Sequence, residues 1–271
     1  MQDTPRLSLE RVSLSYGVTP ALIDVDLEVA AGEAVALVGP SGAGKSTLFG
    51  VVNLCLPPQQ GDYRLDGVDT ATLNGDALRR ARTRIATIHQ KSDIVGRLSV
   101  RDNVLAGRLG RWTMWQATRA WLWPRGTDVE EVRRMLDRVG IAEKLPIRAD
   151  QLSGGQEQRV AIARALFQEA QTMLADEPIA SVDPALAKDI LHLLVETAAT
   201  AGCTLLVNLH QPEMARRHFS RIVGLRDGRV DFDLPSSDVD DSRLSALFQG
   251  EEDLESDDDA LPAAPQRPVD A

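Results

Sequence analysis

The sequence predicts an α/β fold on a mainly parallel sheet, with an N-terminal antiparallel β portion and an α-helical subdomain. Three observations lead to this expectation. Strand patterns alternate with helical patterns, one continuous apolar run has the composition of a strand buried on both faces, and a long helical stretch interrupts the alternation. The 271 residues fit one large unit with a small subdomain.

The first half of the chain supplies the β portion and the first buried strand. Residues 7–9 and 12–14 alternate between apolar and polar side chains, which predicts short strands separated by turns. Residues 31–32, Ala-Gly, indicate a further turn. Residues 34–38 are uninterrupted apolar side chains, as in a buried strand. A glycine-rich loop follows, and residues 45–54 read as a helix.

The second half of the chain contains the long helical stretch, after which strand and helix patterns alternate again. Residues 94–150 look mostly helical, with 129–139 the clearest amphipathic segment. Residues 173–175 and 205–207 are strand candidates, and 185–197 is a helix candidate. We expect one domain over residues 1–248, with its helical subdomain at about 94–157. Residues 249–271 are rich in Asp, Glu, Pro and Ala and are predicted to form an acidic, disordered tail.

The formal charge of −10 is unevenly distributed along the chain. From Asp231 onward there are 13 acidic residues and two arginines, which leaves 27 acids against 28 bases in residues 1–230. A near-neutral body lacks the broad basic surface of a nucleic-acid-binding protein, so we expect no nucleic-acid partner.

Cysteine content and the chain start indicate a cytosolic protein. Cys55 and Cys203 have neither a metal-site spacing nor a disulfide pattern. The first residues show no signal peptide, and no apolar run approaches the roughly 18 residues of a membrane span. Any role at a membrane is therefore expected to come through a partner.

A phosphate-binding loop lies between the buried strand and the first helix. The run fits G-x-x-x-x-G-K-S and consists of Gly39, Pro40, Ser41, Gly42, Ala43, Gly44, Lys45, Ser46 and Thr47. Glycines let backbone N–H groups turn toward phosphate oxygens, and the helix N-terminus adds its positive dipole end. Lys45 is expected to reach the β- and γ-phosphates of ATP, and Ser46 to bind Mg²⁺.

Two adjacent carboxylates follow the apolar strand pattern at residues 172–175. Asp176 is placed to hold Mg²⁺, and Glu177 to orient or deprotonate an attacking water. Such a pair is more often a solvated turn. Its position about 130 residues after a phosphate-binding loop favours the functional interpretation.

A second glycine-containing helix start lies at residues 152–156. Ser153, Gly154, Gly155 and Gln156 open a helix with an apolar face, which gives another N-terminus suited to an anion. Two phosphate-binding ends in one chain can serve one nucleotide if two copies pack head to tail. A plain glycine-containing helix cap is the alternative, and the order of the three motifs argues against it.

Over residues 6–230 or so, these motifs resemble the ATP-binding subunits of ABC transporters. The resemblance implies a P-loop NTPase (RecA-like) core, with ATP and Mg²⁺ as cofactors. It also implies that Tyr16 stacks on adenine, that Gln90 contacts Mg²⁺ or the lytic water, and that His210 contacts the γ-phosphate. Asp183, after Ser181 and Val182, resembles the loop that follows the catalytic carboxylates.

Within that family, the sequence is most similar to phosphonate-importer ATPases. Residues 97–105, 175–181 and 209–211 carry this resemblance, with Gln211 after the switch histidine. Pro212 and the acidic tail depart from the pattern. The resemblance implies a head-to-tail dimer with a second copy, an integral-membrane permease, and a periplasmic or lipoprotein substrate-binding protein. It places the chain peripherally at the cytoplasmic face of the inner membrane.

All four tryptophans occur between residues 112 and 123, with arginines interleaved and no acid between Gly107 and Thr127. One interpretation is the core of the helical subdomain. Another is a docking surface for the permease, because aromatic and arginine side chains often anchor interfaces. Base stacking on nucleic acid is a third.

Other members of the superfamily provide the alternative functions. DNA-maintenance ATPases carry long coiled coils or zinc modules between the motif halves, and this chain has neither. Translation factors generally hold two cassettes, and exporters are commonly fused to membrane helices. Another importer, or a non-transport ATPase such as a division module, stays open as an alternative.

Overall fold

Two β-sheets organise the structure, a computed structural model in which residues 4–89, 93–123, 125–180 and 183–249 are described. The described residues form these strands: β1 (Leu7–Tyr16), β2 (Thr19–Val29), β3 (Ala34–Val38), β4 (Gln60–Leu65), β5 (Val68–Asp69), β6 (Ile85–Ile88), β7 (Thr172–Asp176), β8 (Thr204–Leu209), β9 (Arg221–Arg226) and β10 (Arg229–Pro235). The α-helices are α1 (Lys45–Val52), α2 (Gly75–Arg82), α3 (Val100–Leu105), α4 (Met114–Leu122), α5 (Gly126–Arg138), α6 (Gly154–Phe167), α7 (Pro184–Ala201), α8 (Pro212–His218) and α9 (Asp241–Phe248). None of these helices combines the length and apolar composition needed to span a bilayer.

The larger sheet has the strand order β10-β9-β3-β8-β7-β6, and every pair is parallel except β9 with β10. Its central strands β3 and β8 consist mostly of buried apolar residues, as expected for strands covered on both faces. The predicted mainly parallel sheet is confirmed. Strands β3, β7 and β8 end along the same edge, which brings their following residues together.

The smaller sheet is antiparallel, in the order β2-β1-β4-β5, as predicted for the N-terminal portion. The expectation of short strands separated by turns is wrong, because β1 runs through both alternating segments. Leu9 pairs with Leu27 and Val12 with Val25, so the register shifts between them. Arg11 has φ 48 at this point. The interruption of the pattern is therefore a β-bulge inside one strand.

The helical region between β6 and β7 packs around α6. Helices α3 and α5 both contact α6, and buried Val104, Leu136 and Val160 share one apolar cluster with the larger sheet. The predicted amphipathic segment at 129–139 corresponds to α5. Helix α6 continues to Phe167, beyond the expected subdomain limit at 157. The domain limits themselves stay a prediction.

The four tryptophans divide between two environments. Trp112 is half-buried against the main apolar cluster, with its ring edge-to-face to Phe167 at 6.5 Å between centroids. In contrast, Trp115 and Trp123 are 69% and 72% exposed at the two ends of α4, and Trp121 within the helix is 38% exposed. Trp112 therefore belongs to the core of the helical region, whereas the other three rings are exposed, and their role in docking stays a prediction.

Part of the C-terminal acidity belongs to folded elements. Asp233 on β10 forms an ion pair with Arg221 at 2.6 Å, and Asp240 caps α9 by accepting from the Arg243 N–H at 2.8 Å. These contacts place part of the acidic stretch in β10 and α9. Residues 250–271, the rest of the predicted tail, lie outside the described residues.

Candidate nucleotide site

The loop between β3 and α1 has a backbone that only glycine adopts without strain. Gly39, Gly42 and Gly44 have φ values of 156, 77 and 99. Two of them are also enclosed by neighbouring backbone. A Cβ at Gly39 would lie 2.0 Å from the Leu225 carbonyl oxygen, and one at Gly44 would lie 2.3 Å from that of Ala21. The loop is thus fixed between β2 and β9, and leads directly into the N-terminus of α1.

Lys45 is the first residue of α1 and is only 5% exposed. Its ammonium group donates to the Gly39 carbonyl oxygen at 2.7 Å and to the Pro40 carbonyl oxygen at 2.8 Å. The side chain therefore folds back across its own loop. A buried cation enclosed by a turn of glycines provides the charge and the shape that a phosphate chain requires.

The opposite side of the site is formed where β7 and β8 end. Asp176 and Glu177 are half-buried, and Glu177 has φ 48, an uncommon conformation for a non-glycine residue. Glu177 Oε1 lies 2.6 Å from His210 Nε2, within hydrogen-bonding distance. The structure thus brings two of the predicted catalytic residues into direct contact. Backbone strain of this kind is common at functional sites.

Asn208 is a member of this group that the sequence interpretation missed. It is fully buried on β8 and lies in register with Asp176 on β7. Its Nδ2 donates to Asp176 Oδ1 at 2.6 Å. The signal that could have revealed it is an amide in a run of apolar residues, because an unpaired polar group is costly in a strand buried on both faces.

The predicted second anion-binding end lies at the start of α6. Ser153 is the N-cap and forms a capping box with Gln156: its hydroxyl accepts from the Gln156 N–H, and the Gln156 Oε1 accepts from the Ser153 N–H. Ser153 and Gly154 are exposed. Gly155 is buried, and a Cβ there would lie 2.6 Å from the Leu186 side chain. Gly155 therefore allows α6 and α7 to approach, while Gly154 stays open to solvent.

The remaining predicted residues fall into three situations. Asp183 caps α7, with its Oδ1 accepting from the N–H groups of Ala185 and Leu186 at 3.1 and 3.0 Å. Tyr16 is 55% exposed at the end of β1, as a ring available for stacking would be. Gln90, and with it Ser181 and Val182, lie outside the described residues.

The oxygen donors at this site suit magnesium. Ser46 is exposed in the first turn of α1, and Asp176 lies at the end of β7. Mg²⁺ prefers oxygen ligands, keeps several waters, and is often held by one or two protein groups plus phosphate oxygens. Within the described ranges no group of three or more His, Cys, Asp or Glu residues could hold a metal by itself. The donor set therefore fits an ion shared with bound phosphates.

Comparison with known families identifies the class of protein. Residues 22–180 match the family described as ABC transporter. The chain therefore belongs to the ABC transporter family. Because the matched region includes the phosphate-binding loop, Ser153–Gln156 and both strand-end carboxylates, the family resemblance inferred from those motifs is confirmed.

Individual relatives carry more specific names. The chain is 44% identical to "Phosphonates import ATP-binding protein PhnC 2" of Pseudomonas aeruginosa, over 91% of this chain and 92% of that protein. It is 45% identical to a protein of the same name from Synechococcus sp., over 86% of each chain. The resemblance to the phosphonate branch is confirmed as well.

Solved structures confirm the fold. The chain resembles cbiO1 from Clostridium perfringens, part of the ABC transporter complex cbiONQ, with a TM-score of 0.76 and 25% identity over 96% of each chain. It also resembles a dimeric ATP-binding cassette in a post-hydrolysis state bound to ADP and phosphate, with a TM-score of 0.72 and 29% identity over 85% of this chain and 98% of that one. The predicted P-loop NTPase class with its helical subdomain is correct.

Proposed function

We propose that this chain is the ATP-hydrolysing subunit of an ABC importer, and that the transported substrate is a phosphonate or a related phosphorus oxyanion. The hydrolytic part of the proposal rests on the site. There, the glycine loop and the group Asp176, Glu177 and His210 lie where parallel strands end at the same edge of the larger sheet. The transport part rests on about nine-tenths of the chain being 44% identical to phosphonate-import ATP-binding proteins. Another importer is the second candidate.

Each residue has a task in hydrolysis that follows from its position. Lys45 and the loop N–H groups bind the phosphates of ATP and neutralise their charge. Glu177 orients the attacking water and accepts its proton, while His210 holds the Glu177 carboxylate in place through their 2.6 Å contact. When bound, Mg²⁺ neutralises charge on the phosphates, and Ser46, Asp176 and Gln90 are the residues that would hold it.

The Glu177→Gln variant tests the hydrolytic step. It keeps the size of the side chain but removes its basicity, so turnover should fall about 10²–10⁴-fold while ATP affinity stays near that of the wild type. Glu196→Gln is a matched control, because Glu196 also faces a histidine, His192 at 3.6 Å, but lies on the exposed surface of α7. Steady-state hydrolysis and nucleotide binding are measured for both. Near-normal turnover by Glu177→Gln would remove this glutamate from the proposed role.

The exposed start of α6 supports completion of the site by a second copy of the chain. In a head-to-tail dimer, Ser153 and Gly154 of one copy would meet the nucleotide held by Lys45 of the other. Mixing inactive Ser153→Arg and inactive Lys45→Ala proteins should restore part of the ATPase activity, because both lesions then fall on one site and leave the other whole.

Control experiments separate this effect from damage to α6. Thr113 and Gln116 form an equivalent capping box at the exposed start of α4, so Thr113→Arg removes a similar cap and should stay active. Strict coupling between the two sites could suppress rescue. A crosslink between a loop cysteine and a cysteine at position 153 therefore accompanies the mixing assay. If mixing restores no activity and the paired cysteines form no intermolecular crosslink, the shared site is contradicted.

The remaining parts of the proposal concern the membrane. We place the chain at the cytoplasmic face of the inner membrane, held there by permease subunits that receive substrate from a binding protein. Co-purification of the full chain from native membranes, with its partners identified by mass spectrometry, tests the assembly. Uptake of methylphosphonate, compared with phosphate and with a sulfonate, tests the substrate. Sulfonate uptake that depends on this chain, without methylphosphonate uptake, would favour the second candidate.

A further inference from the structure

Asn208 contacts both strand-end carboxylate residues. Its side-chain Nδ2 donates to Asp176 Oδ1 at 2.6 Å, and its backbone carbonyl oxygen accepts from the Glu177 N–H at 3.2 Å. His210, which contacts the Glu177 carboxylate, follows two residues later on the same segment. One buried residue thus connects the proposed metal ligand with the proposed general base.

The orientation of the Asn208 amide is determined by its neighbours. With Nδ2 toward Asp176, the amide donates to a carboxylate, and such charge-assisted bonds are short and strong. The reverse orientation would direct the carbonyl oxygen of the amide at a carboxylate oxygen and leave both without a donor. The orientation observed leaves Asn208 Oδ1 buried with no hydrogen-bond partner in the part of the chain that is described.

An unpaired buried acceptor of this kind reduces stability. Leaving such a group unsatisfied costs about 1–3 kcal/mol, and an apolar side chain at this position would remove that cost while losing the hydrogen bond to Asp176. Position 208 lies in a strand that is otherwise buried and largely apolar, so a leucine there would suit the surrounding sheet. Packing therefore does not account for an asparagine. The contact with Asp176 does.

We propose that Asn208 is a positioning residue for the metal. By donating to Asp176 Oδ1, it fixes the rotamer of that carboxylate and leaves the other oxygen, Oδ2, available as a metal ligand. The backbone carbonyl oxygen of residue 208 also accepts from the Glu177 N–H, a contact that a substitution at this position keeps. The inference rests on the proposed Mg²⁺-dependent binding of ATP, and extends it to a residue outside the recognised motifs.

The experiment separates metal-dependent from metal-independent nucleotide binding. The affinity of the full chain for a non-hydrolysable ATP analogue is measured in Mg²⁺ and in EDTA, and Mn²⁺ binding to the protein–analogue complex is measured by electron paramagnetic resonance. In Asn208→Leu, affinity in EDTA should match the wild type, because Lys45 and the loop are unchanged. The gain in affinity given by Mg²⁺ should fall about tenfold, as expected for losing a hydrogen bond to a charged group. The melting temperature should change little, because removal of the unpaired Oδ1 offsets the lost hydrogen bond to Asp176.

A matched control lies on the same strand. Thr204 is also fully buried, and its hydroxyl contacts the Gly32 N–H at 2.8 Å and the Ala30 carbonyl oxygen at 3.2 Å, at the end of β8 away from the site. Thr204→Val should lower the melting temperature and leave the Mg²⁺ effect unchanged. If Asn208→Leu does not fold, Asn208→Ala carries the same prediction for metal binding.

The outcomes distinguish this inference from the proposed function. A wild-type protein whose nucleotide affinity does not respond to Mg²⁺ would contradict the proposed function itself. A wild type that responds, together with an Asn208 variant that responds equally and binds Mn²⁺ equally, would overturn the positioning role alone. A lower melting temperature in Asn208→Leu with unchanged metal binding would assign Asn208 to folding only.

Discussion

The glycines of the phosphate-binding loop allow a quantitative test of how the loop is held. Gly42 and Gly44 both have positive φ, but their surroundings differ. A Cβ at Gly42 meets nothing within 4 Å, whereas one at Gly44 would lie 2.3 Å from the Ala21 carbonyl oxygen and 3.2 Å from the Leu22 side chain. Alanine at Gly42 therefore introduces backbone strain alone, and alanine at Gly44 adds a collision with β2.

The expected magnitudes follow from those two terms. Placing an L-residue in the left-handed region costs roughly 1–2 kcal/mol at either position. Overpacking against backbone that cannot rotate away adds about 1–3 kcal/mol at Gly44 only. For a domain of this size, 1 kcal/mol lowers the melting temperature by about 2–4 °C. Gly44→Ala should therefore melt about 2–12 °C below Gly42→Ala.

Thermal unfolding is measured by calorimetry without nucleotide, so that lost phosphate contacts do not contribute. Circular dichroism at low temperature serves as the control that both variants are folded. Equal melting temperatures, or a lower value for Gly42→Ala, would refute the close approach of β2 to the loop. In that case the glycine at 44 would be required only for its backbone conformation.

Two further predictions concern side chains outside the site. At pH 8 a thiol reagent should modify one cysteine per folded chain and two after denaturation. Cys55 is exposed, whereas burial raises the pKa of the Cys203 thiol to about 11. Equal labelling of Cys55 and Cys203 in the folded protein would contradict this. Trp112→Ala should destabilise the protein by about 2 kcal/mol or more, because it loses the contact with Phe167. Trp115→Ala, at an exposed ring, should change the melting temperature little but weaken permease binding in a pull-down. Normal permease binding by Trp115→Ala would exclude a docking role for that ring.

Several features of the site could be predicted from sequence because they are formed by neighbours in the chain. The loop from Gly39 to Thr47 is nine consecutive residues, and its glycines occur where positive φ is required. The helix start predicted at residues 152–156 likewise depends on near neighbours, since Ser153 and Gln156 form its capping box. Interactions of this range depend on local backbone geometry, so the residue types themselves specify them.

The sequence also determined the main elements but not all their limits. The strand at Ala34–Val38 matches the prediction, while α1 ends at Val52 and not at 54, because Leu54 adopts a left-handed φ of 64. The bulge in β1 was missed because its two halves look like separate strands until their pairing with β2 is known. Local patterns indicate that a strand exists, and its partners decide where it continues.

Only the tertiary structure decided which distant residues share the site. Asp176 and Asn208 are 32 residues apart, and they meet because β7 and β8 are adjacent parallel strands in matching register. The same arrangement places His210 against Glu177. Strand order cannot be read from alternation alone, since many orders bury the same apolar faces. The phosphate-binding half of the site was therefore determined by sequence, whereas the contacts among its carboxylates, amide and histidine were determined by how the sheet assembles.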